Sequence, residues 1–74
     1  MNYKEGEIIE LDDKEYIIYS VIQDGERYYY YLMSNFKPID MKFVTDGDEE
    51  GTMNVVVDEQ EKLRVFDLFK KKFN

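Results

Sequence analysis

The clearest chemical pattern in this 74-residue chain is an acidic, glycine-containing segment at residues 46–51. Oxygen ligands at positions 1, 3 and 5 followed by glycine at position 6 are typical of the first half of an EF-hand calcium loop. The residues that match are Asp46, Asp48, Glu50 and Gly51. Position 12, which needs a bidentate Glu, is Val57, so the strongest ligand is missing. We therefore predict an ordinary solvated hairpin loop and no metal site.

A second pattern with chemical potential is the run of four tyrosines from Tyr28 to Tyr31. Aromatic faces of this kind stack on single-stranded nucleic acids in oligonucleotide-binding folds, but such platforms are accompanied by basic grooves. Only Arg27 and Lys14 lie near this run. The run is therefore interpreted as core packing on both faces of a central strand.

Catalysis is disfavoured by the composition. The chain has no Cys and no His, which removes thiol chemistry, the commonest zinc ligand and the usual general base. Its 17 acidic residues make accidental carboxylate pairs easy, yet they fall mainly in turns and at strand ends. Phosphate-binding glycine loops and nucleophile elbows are absent from the sequence. We predict that the protein is not an enzyme and has no cofactor.

The formal net charge of −7 limits the partners. Nucleic acids and anionic membrane surfaces attract Lys and Arg, so direct binding to either is not expected. The first residues lack the basic and apolar regions of a signal peptide, and no segment approaches the roughly 18 apolar residues of a membrane span. A cytoplasmic location is expected.

The strongest structural signal is a hairpin between two β-prone runs, residues 15–23 and 26–33, on either side of Asp24-Gly25. A two-residue Asp-Gly loop predicts a type I′ turn. In that register Val21 lies opposite Tyr28 and Tyr19 opposite Tyr30. The predicted deeper face then contains Ile17, Tyr19, Val21, Tyr28, Tyr30 and Leu32. The second face also carries apolar residues, so the hairpin is predicted to be central in its sheet.

Further strands are predicted at residues 7–11, 40–45 and 52–57, and a helix at 59–72. Asp58 is a predicted N-cap, with Glu61 completing a capping-box pattern. Lys70 to Lys72 complement the helix dipole at the other end. The sequence thus predicts one α+β domain, residues 1–74. Its architecture is a five-stranded antiparallel curled sheet or open barrel-like meander followed by one C-terminal helix.

Several short motifs resemble the small acidic bacterial proteins grouped as domain of unknown function 1292. These are the run before Glu15-Tyr16, the turn from Asp24 to Tyr28, the acidic loop at residues 46–51, and Val56-Val57-Asp58-Glu59 before the terminal helix. The tyrosine run and the three terminal lysines depart from that group. The resemblance implies a bacterial cytoplasmic setting and supplies no catalytic residues.

These observations favour a non-enzymatic protein-interaction module, which binds either a protein partner or a second copy of itself. The expected partner surface is the second face of the hairpin, comprising Tyr16, Ile18, Ile22, Tyr29, Tyr31 and Met33. The alternative is an acidic inhibitor from a phage or mobile element that mimics nucleic acid and occupies the groove of a DNA- or RNA-binding protein. Mimicry requires carboxylates spaced like phosphates along one face.

Overall fold

The computed structural model describes residues 3–47, 49 and 52–73 of the chain. It confirms the predicted α+β fold, in which a curled antiparallel sheet is followed by a C-terminal helix. The strands lie in the sheet in the same order as in the sequence, so neighbours along the chain are also neighbours in the sheet. The elements are β1 (Ile8–Leu11), β2 (Lys14–Asp24), β3 (Arg27–Ser34), β4 (Met41–Asp46), β5 (Met53–Val55) and α1 (Glu59–Phe73).

The predicted bounds of β1 to β4 and of α1 agree with the structure to within one residue at each end. Strand β5 is shorter than predicted, because the chain leaves the sheet after Val55 to reach the helix. The amide of Val56 still donates to the Phe43 carbonyl at 2.9 Å, and its side chain is buried beneath α1. The end of β5 therefore serves as the link to the helix.

The turn between β1 and β2 is formed by two aspartates. Asp12 and Asp13 have φ values of 54° and 63°, and Leu11 pairs with Lys14. Positive φ at both central positions is what a two-residue type I′ hairpin requires, and Asp tolerates this conformation better than most residues. Asp12 and Asp13 thus form the tight two-residue loop of the β1–β2 hairpin.

The predicted register of the β2–β3 hairpin is wrong by two residues. Asp24 pairs with Arg27, so the two loop residues are Gly25 and Glu26. Gly25 has φ 65° and occupies the first central position, which is the place of glycine in a type II′ turn. Moving the loop by one residue places Val21 opposite Tyr30, rather than opposite Tyr28.

A β-bulge in β2 corrects the predicted faces as well. The register shifts between Ile18 and Ser20, so both Tyr19 and Ser20 stand where β3 offers only Tyr31. An extra residue reverses the alternation of side chains along the rest of the strand. As a result Ile18, rather than Ile17, lies on the same face as Leu32.

One face of the sheet, here called the inner face, holds the main core. Its buried members are Tyr16, Ile18, Tyr30, Leu32 and Val44. These side chains are buried without a helix above them, because the sheet curls and the flanking segments cover it. Tyr3 packs edge-on against Tyr30, and Phe36 packs edge-on against Tyr16.

Polar groups close the inner face at the connection between β3 and β4. The hydroxyl of Tyr16 donates to Asp40 Oδ2 at 2.9 Å, and this bond holds the pKa of Asp40 below its ordinary value. Burial raises the pKa of the Tyr16 hydroxyl. Ser34 Oγ donates to the Phe36 carbonyl and accepts from the Asp40 amide, so the connection folds around this hydroxyl.

The opposite face, here called the helix face, packs against α1. Tyr29 and Val56 are buried there against Val65 and Phe69 of the helix. The predicted N-cap is confirmed, since Asp58 Oδ1 accepts from the Gln60 amide at 3.1 Å. The sheet therefore has two apolar faces, as the sequence predicted for its central hairpin.

The burial of the helix predicts a sharp contrast between two phenylalanines of α1. Phe69 is 1% exposed, whereas Phe66 is 52% exposed. Phe69→Ala should lower the free energy of unfolding by about 3–5 kcal/mol, because it leaves a cavity in the core. Phe66→Ala is the matched control and should cost about 1 kcal/mol or less. Urea denaturation at neutral pH measures both, and equal losses would contradict the described packing.

Burial of Tyr30 predicts a loss of stability in alkali. Its side chain is fully buried, and burial raises its pKa to about 12. The unfolded chain ionises this phenol near pH 10, so its contribution to stability is full below about pH 10 and declines as pH rises to about 12. Tyr30→Phe should show a shallower decline of the unfolding free energy over that interval. A decline as steep as in the wild type would contradict this assignment.

Candidate partner-binding surface

Helix α1 covers only part of the helix face. Between residues 66 and 73 it crosses the strands from β4 towards β2. Phe66 and Phe69 contact Phe43 of β4, and Phe73 contacts Tyr31 of β3 and Tyr19 of β2. The row across the sheet that contains Tyr31 and Phe43 is therefore covered by the helix.

The next row along the strands lies beside the helix rather than beneath it. Four apolar residues stand directly opposite one another across four strands, in the order Ile8, Ile17, Met33 and Met41. Directly opposite residues in an antiparallel sheet share one face and have closely spaced side chains. Because Met33 and Met41 are two residues from Tyr31 and Phe43, this row shares the helix face. We call these four residues the open row.

The open row is accessible to solvent along its whole length. Its end members are the most exposed, Ile8 at 58% and Met41 at 55%, while Ile17 and Met33 are half-buried. A tyrosine hydroxyl borders the row, since Tyr31 Oη lies 2.9 Å from Met41 Sδ. The row is thus a continuous strip of apolar side chains.

The side of α1 forms an apolar wall along this strip. Phe66 and Phe73 project from the same side of the helix and are each about half exposed, at 52% and 53%. Tyr19, which the bulge releases from the regular ladder, contacts Phe73 and Tyr31 and is 55% exposed. The open row is the floor and these exposed aromatic side chains are the wall of a step-shaped apolar surface, which we call the notch. At its Met41 end the notch continues into a groove of about 380 Å³ between β4 and the start of α1.

At its β1–β2 end, the other border of the open row is acidic. Glu10 and Glu15 stand directly opposite each other, two residues beyond Ile8 and Ile17 on the same face, and both are exposed. Like charges in a cross-strand pair destabilise the sheet. Asn35 Nδ2 donates to Glu15 Oε1 at 3.4 Å. The strip therefore lies between an aromatic wall and a carboxylate rim.

Polar clusters fix α1 in its position on the sheet. The hydroxyl of Tyr29 donates to Glu61 Oε2 at 3.1 Å and accepts from Arg64 Nη2 at 3.0 Å, while Arg64 Nη1 pairs with Asp24. The hydrogen bond with Tyr29 and the pair with Asp24 raise the pKa of Arg64. Glu61, predicted to close a capping box, is thus engaged with the sheet.

A second cluster holds the last turn of the helix. Lys72 Nζ donates to the Val21 carbonyl at 2.6 Å and to Glu5 Oε2 at 2.7 Å, which lowers the pKa of Glu5. With the helix fixed at both ends, it cannot slide over the open row without breaking these bonds.

The partner surface predicted from the sequence does not form one accessible patch. Tyr16, Ile18 and Tyr29 are each 1% exposed, so their assignment to an exposed surface is wrong. The bulge places the first two on the inner face, and α1 covers the third. Ile22 and Tyr31 are half-buried against the helix. Met33 belongs to the open row.

The structure adds three residues that sequence reasoning missed, namely Ile8, Ile17 and Met41. The apolar residues of β1, β2 and β4 were a visible signal that these strands have buried faces. Aligning them into one row required the true hairpin register and the position of the bulge.

The tyrosine run is confirmed as core rather than as a stacking platform, since Tyr29 is 1% exposed and Tyr30 is fully buried. Of the compared calcium-loop positions, Asp48, Glu50 and Gly51 lie outside the described residues. Within the part of the chain that is described, no group of three or more His, Cys, Asp or Glu side chains is arranged to hold a metal ion.

Comparisons with protein-family models, with curated proteins and with solved structures gave no match for this chain. The resemblance to the acidic bacterial family therefore stays a prediction. Among residues 3–47, 49 and 52–73, no helix is both long and apolar enough to cross a membrane.

The exposure of the open row predicts that its end residues contribute little to stability. The double variant Ile8→Gln/Met41→Gln should lower the unfolding free energy by no more than about 1 kcal/mol. Val44→Asn, which places an amide in the fully buried inner face, should cost several times more, about 3 kcal/mol. Urea denaturation compares them. A large loss in the double variant would show that the row is core.

Proposed function

We propose that this chain is a non-enzymatic protein-interaction module and that its docking surface is the notch between the open row and the exposed side of α1. The observation that supports this proposal is the continuous apolar strip of Ile8, Ile17, Met33 and Met41 on a face whose other half is covered by a helix. An apolar strip with a charged border is a typical feature of protein-binding surfaces.

The chemistry of the notch favours binding over catalysis. Its floor and wall consist of aliphatic, thioether and aromatic side chains, and its carboxylates stand at the border. A general acid or base acts from a position within hydrogen-bond reach of the reacting atoms. Apolar walls with a polar rim instead supply burial energy and orientation, which is what recognition of another protein needs.

The alternative of nucleic-acid mimicry depends on the net charge of −7. Several carboxylates of the described residues pair with Lys or Arg, which reduces the charge that they present to a partner. These are Glu5, Asp24, Asp40, Glu61 and Asp67. Mimicry also makes no use of an apolar strip. It remains the alternative proposal, and it differs in the salt dependence of binding.

The test is selective capture from a lysate of the source cells with three immobilised proteins: the wild type, Ile8→Gln/Met41→Gln, and Leu63→Gln. Leu63 is 68% exposed on α1, two residues before the buried Val65, so it faces away from the sheet. We expect that the wild type and Leu63→Gln capture one protein to the same extent. Ile8→Gln/Met41→Gln, the row variant, should bind that protein at least about tenfold more weakly, which corresponds to a loss of about 1.4 kcal/mol of binding free energy. All three proteins have the same net charge.

The salt dependence completes this test. Capture that survives about 0.3 M salt supports apolar docking, because exposed charge pairs are largely screened at that concentration. Capture that is insensitive to the row variant and is lost in the same salt would favour mimicry and contradict the proposed module. Recovery of no protein that distinguishes the variants would also count against it.

A further inference from the structure

We propose that the segment bound in the notch is an amphipathic helix that lies alongside α1, with Lys or Arg on the flank that faces Glu10 and Glu15. This inference rests on the proposed docking function and specifies the chemistry of the partner. It follows from the direction of the notch, its dimensions and its charges.

The direction of the notch favours a helix over an extended strand. The open row crosses β1 to β4, and the second half of α1 also crosses the strands, so row and helix run side by side. An extended segment bound at a sheet edge would pair with one strand only and leave most of the row uncovered. A helix laid across the strands covers all four residues.

The dimensions of the notch fit a single helix. Four strands span three gaps of roughly 4.8 Å each, or about 14 Å, which is the length of nine to ten helical residues. The row lies two residues along the strands from the covered row, a displacement of roughly 7 Å. Packed helices lie about 8–10 Å apart, so a helix above the row would contact the exposed sides of Phe66 and Phe73.

The charges beside the notch determine which flank of the bound helix is basic. On the α1 side it meets aromatic rings, and on the other side it meets two carboxylates. Glu10 and Glu15 repel each other across the β1–β2 pair, and a cation from the partner would reduce this repulsion. A second copy of this chain adds a further net charge of −7, which opposes close approach. The best complement is therefore apolar with one basic flank.

The inference is tested with synthetic helical peptides as probes and the full-length ¹⁵N-labelled protein. Three peptides of about 18 residues share the same length, and two of them share one leucine stripe at i, i+3, i+4 and i+7. The first carries lysines along one flank of the stripe, the second carries glutamates there, and the third is the lysine peptide with its stripe scrambled. Amide chemical shifts locate the binding, and fluorescence anisotropy measures the affinity.

We expect the lysine-flanked peptide to shift the amides of the open row and to bind roughly tenfold or more tightly than the glutamate-flanked peptide. The scrambled peptide should bind weakly and shift no defined set of amides. The variant Glu10→Gln/Glu15→Gln should bind the lysine-flanked peptide roughly three- to tenfold more weakly than the wild type does. Its affinity for the glutamate-flanked peptide should not fall. Gln23→Glu, which changes an exposed residue of the β2–β3 hairpin, is the control and should leave the open-row shifts unchanged.

Three outcomes would overturn the inference. Equal binding of the lysine and glutamate peptides at the open row would refute the basic flank, while the docking surface itself would stand. Shifts outside the notch, or none with any peptide, would refute the helical occupant, and the capture experiment would still decide the proposed function independently. Light scattering that shows a dimer, lost in Ile8→Gln/Met41→Gln, would assign the notch to a second copy.

Discussion

The β-bulge between Ile18 and Ser20 is the constraint on which both layers of this protein depend. Strand β2 must supply large side chains to both faces of the sheet. Its side chains alternate between these faces, and the bulge reverses which residues lie on which face. Before it, Tyr16 and Ile18 enter the inner core; after it, Ile22 contacts the helix. The same irregularity turns Ile17 towards the helix face, where it becomes part of the open row. A regular strand would bury a different half of its residues.

A second constraint is the ratio of helix to sheet. A single 15-residue helix is about 22 Å long and about 10 Å wide with its side chains, so it covers a strip of the sheet rather than the whole face. The pair between Arg64 and Asp24 and the bonds of Lys72 to Glu5 and Val21 decide which strip that is. The positions of Arg64 and Lys72 therefore determine which part of the helix face, the open row, stays uncovered.

Most of the architecture follows from local signals in the sequence. The five strands, the helix, its cap at Asp58 and the turn at Asp12-Asp13 are specified by residue periodicity and by turn and capping chemistry. The surface is different, because it depends on how strands align. An Asp-Gly pair permits two loop positions, and the choice of Gly25-Glu26 moves the cross-strand partners of residues 20–24 by two residues. Beyond the bulge, at residues 16–18, the partners differ from the predicted register by one residue. The bulge leaves no local signature, since Tyr19 and Ser20 both suit a strand. Of the four residues of the open row, the sequence therefore assigned only Met33 to the partner surface.

Half of the open row is methionine, and this choice of side chain has its own consequence. Thioether side chains are unbranched and polarisable, so they adapt to irregular shapes at little cost and suit surfaces that accept more than one sequence. Met33 and Met41 are adjacent across β3 and β4, with Met41 the more exposed to solvent. Oxidation to the sulfoxide would place polar oxygen atoms in the β3–β4 half of the apolar strip and make that half polar. The same two residues that make the surface adaptable thus make it sensitive to the oxidation state of its surroundings.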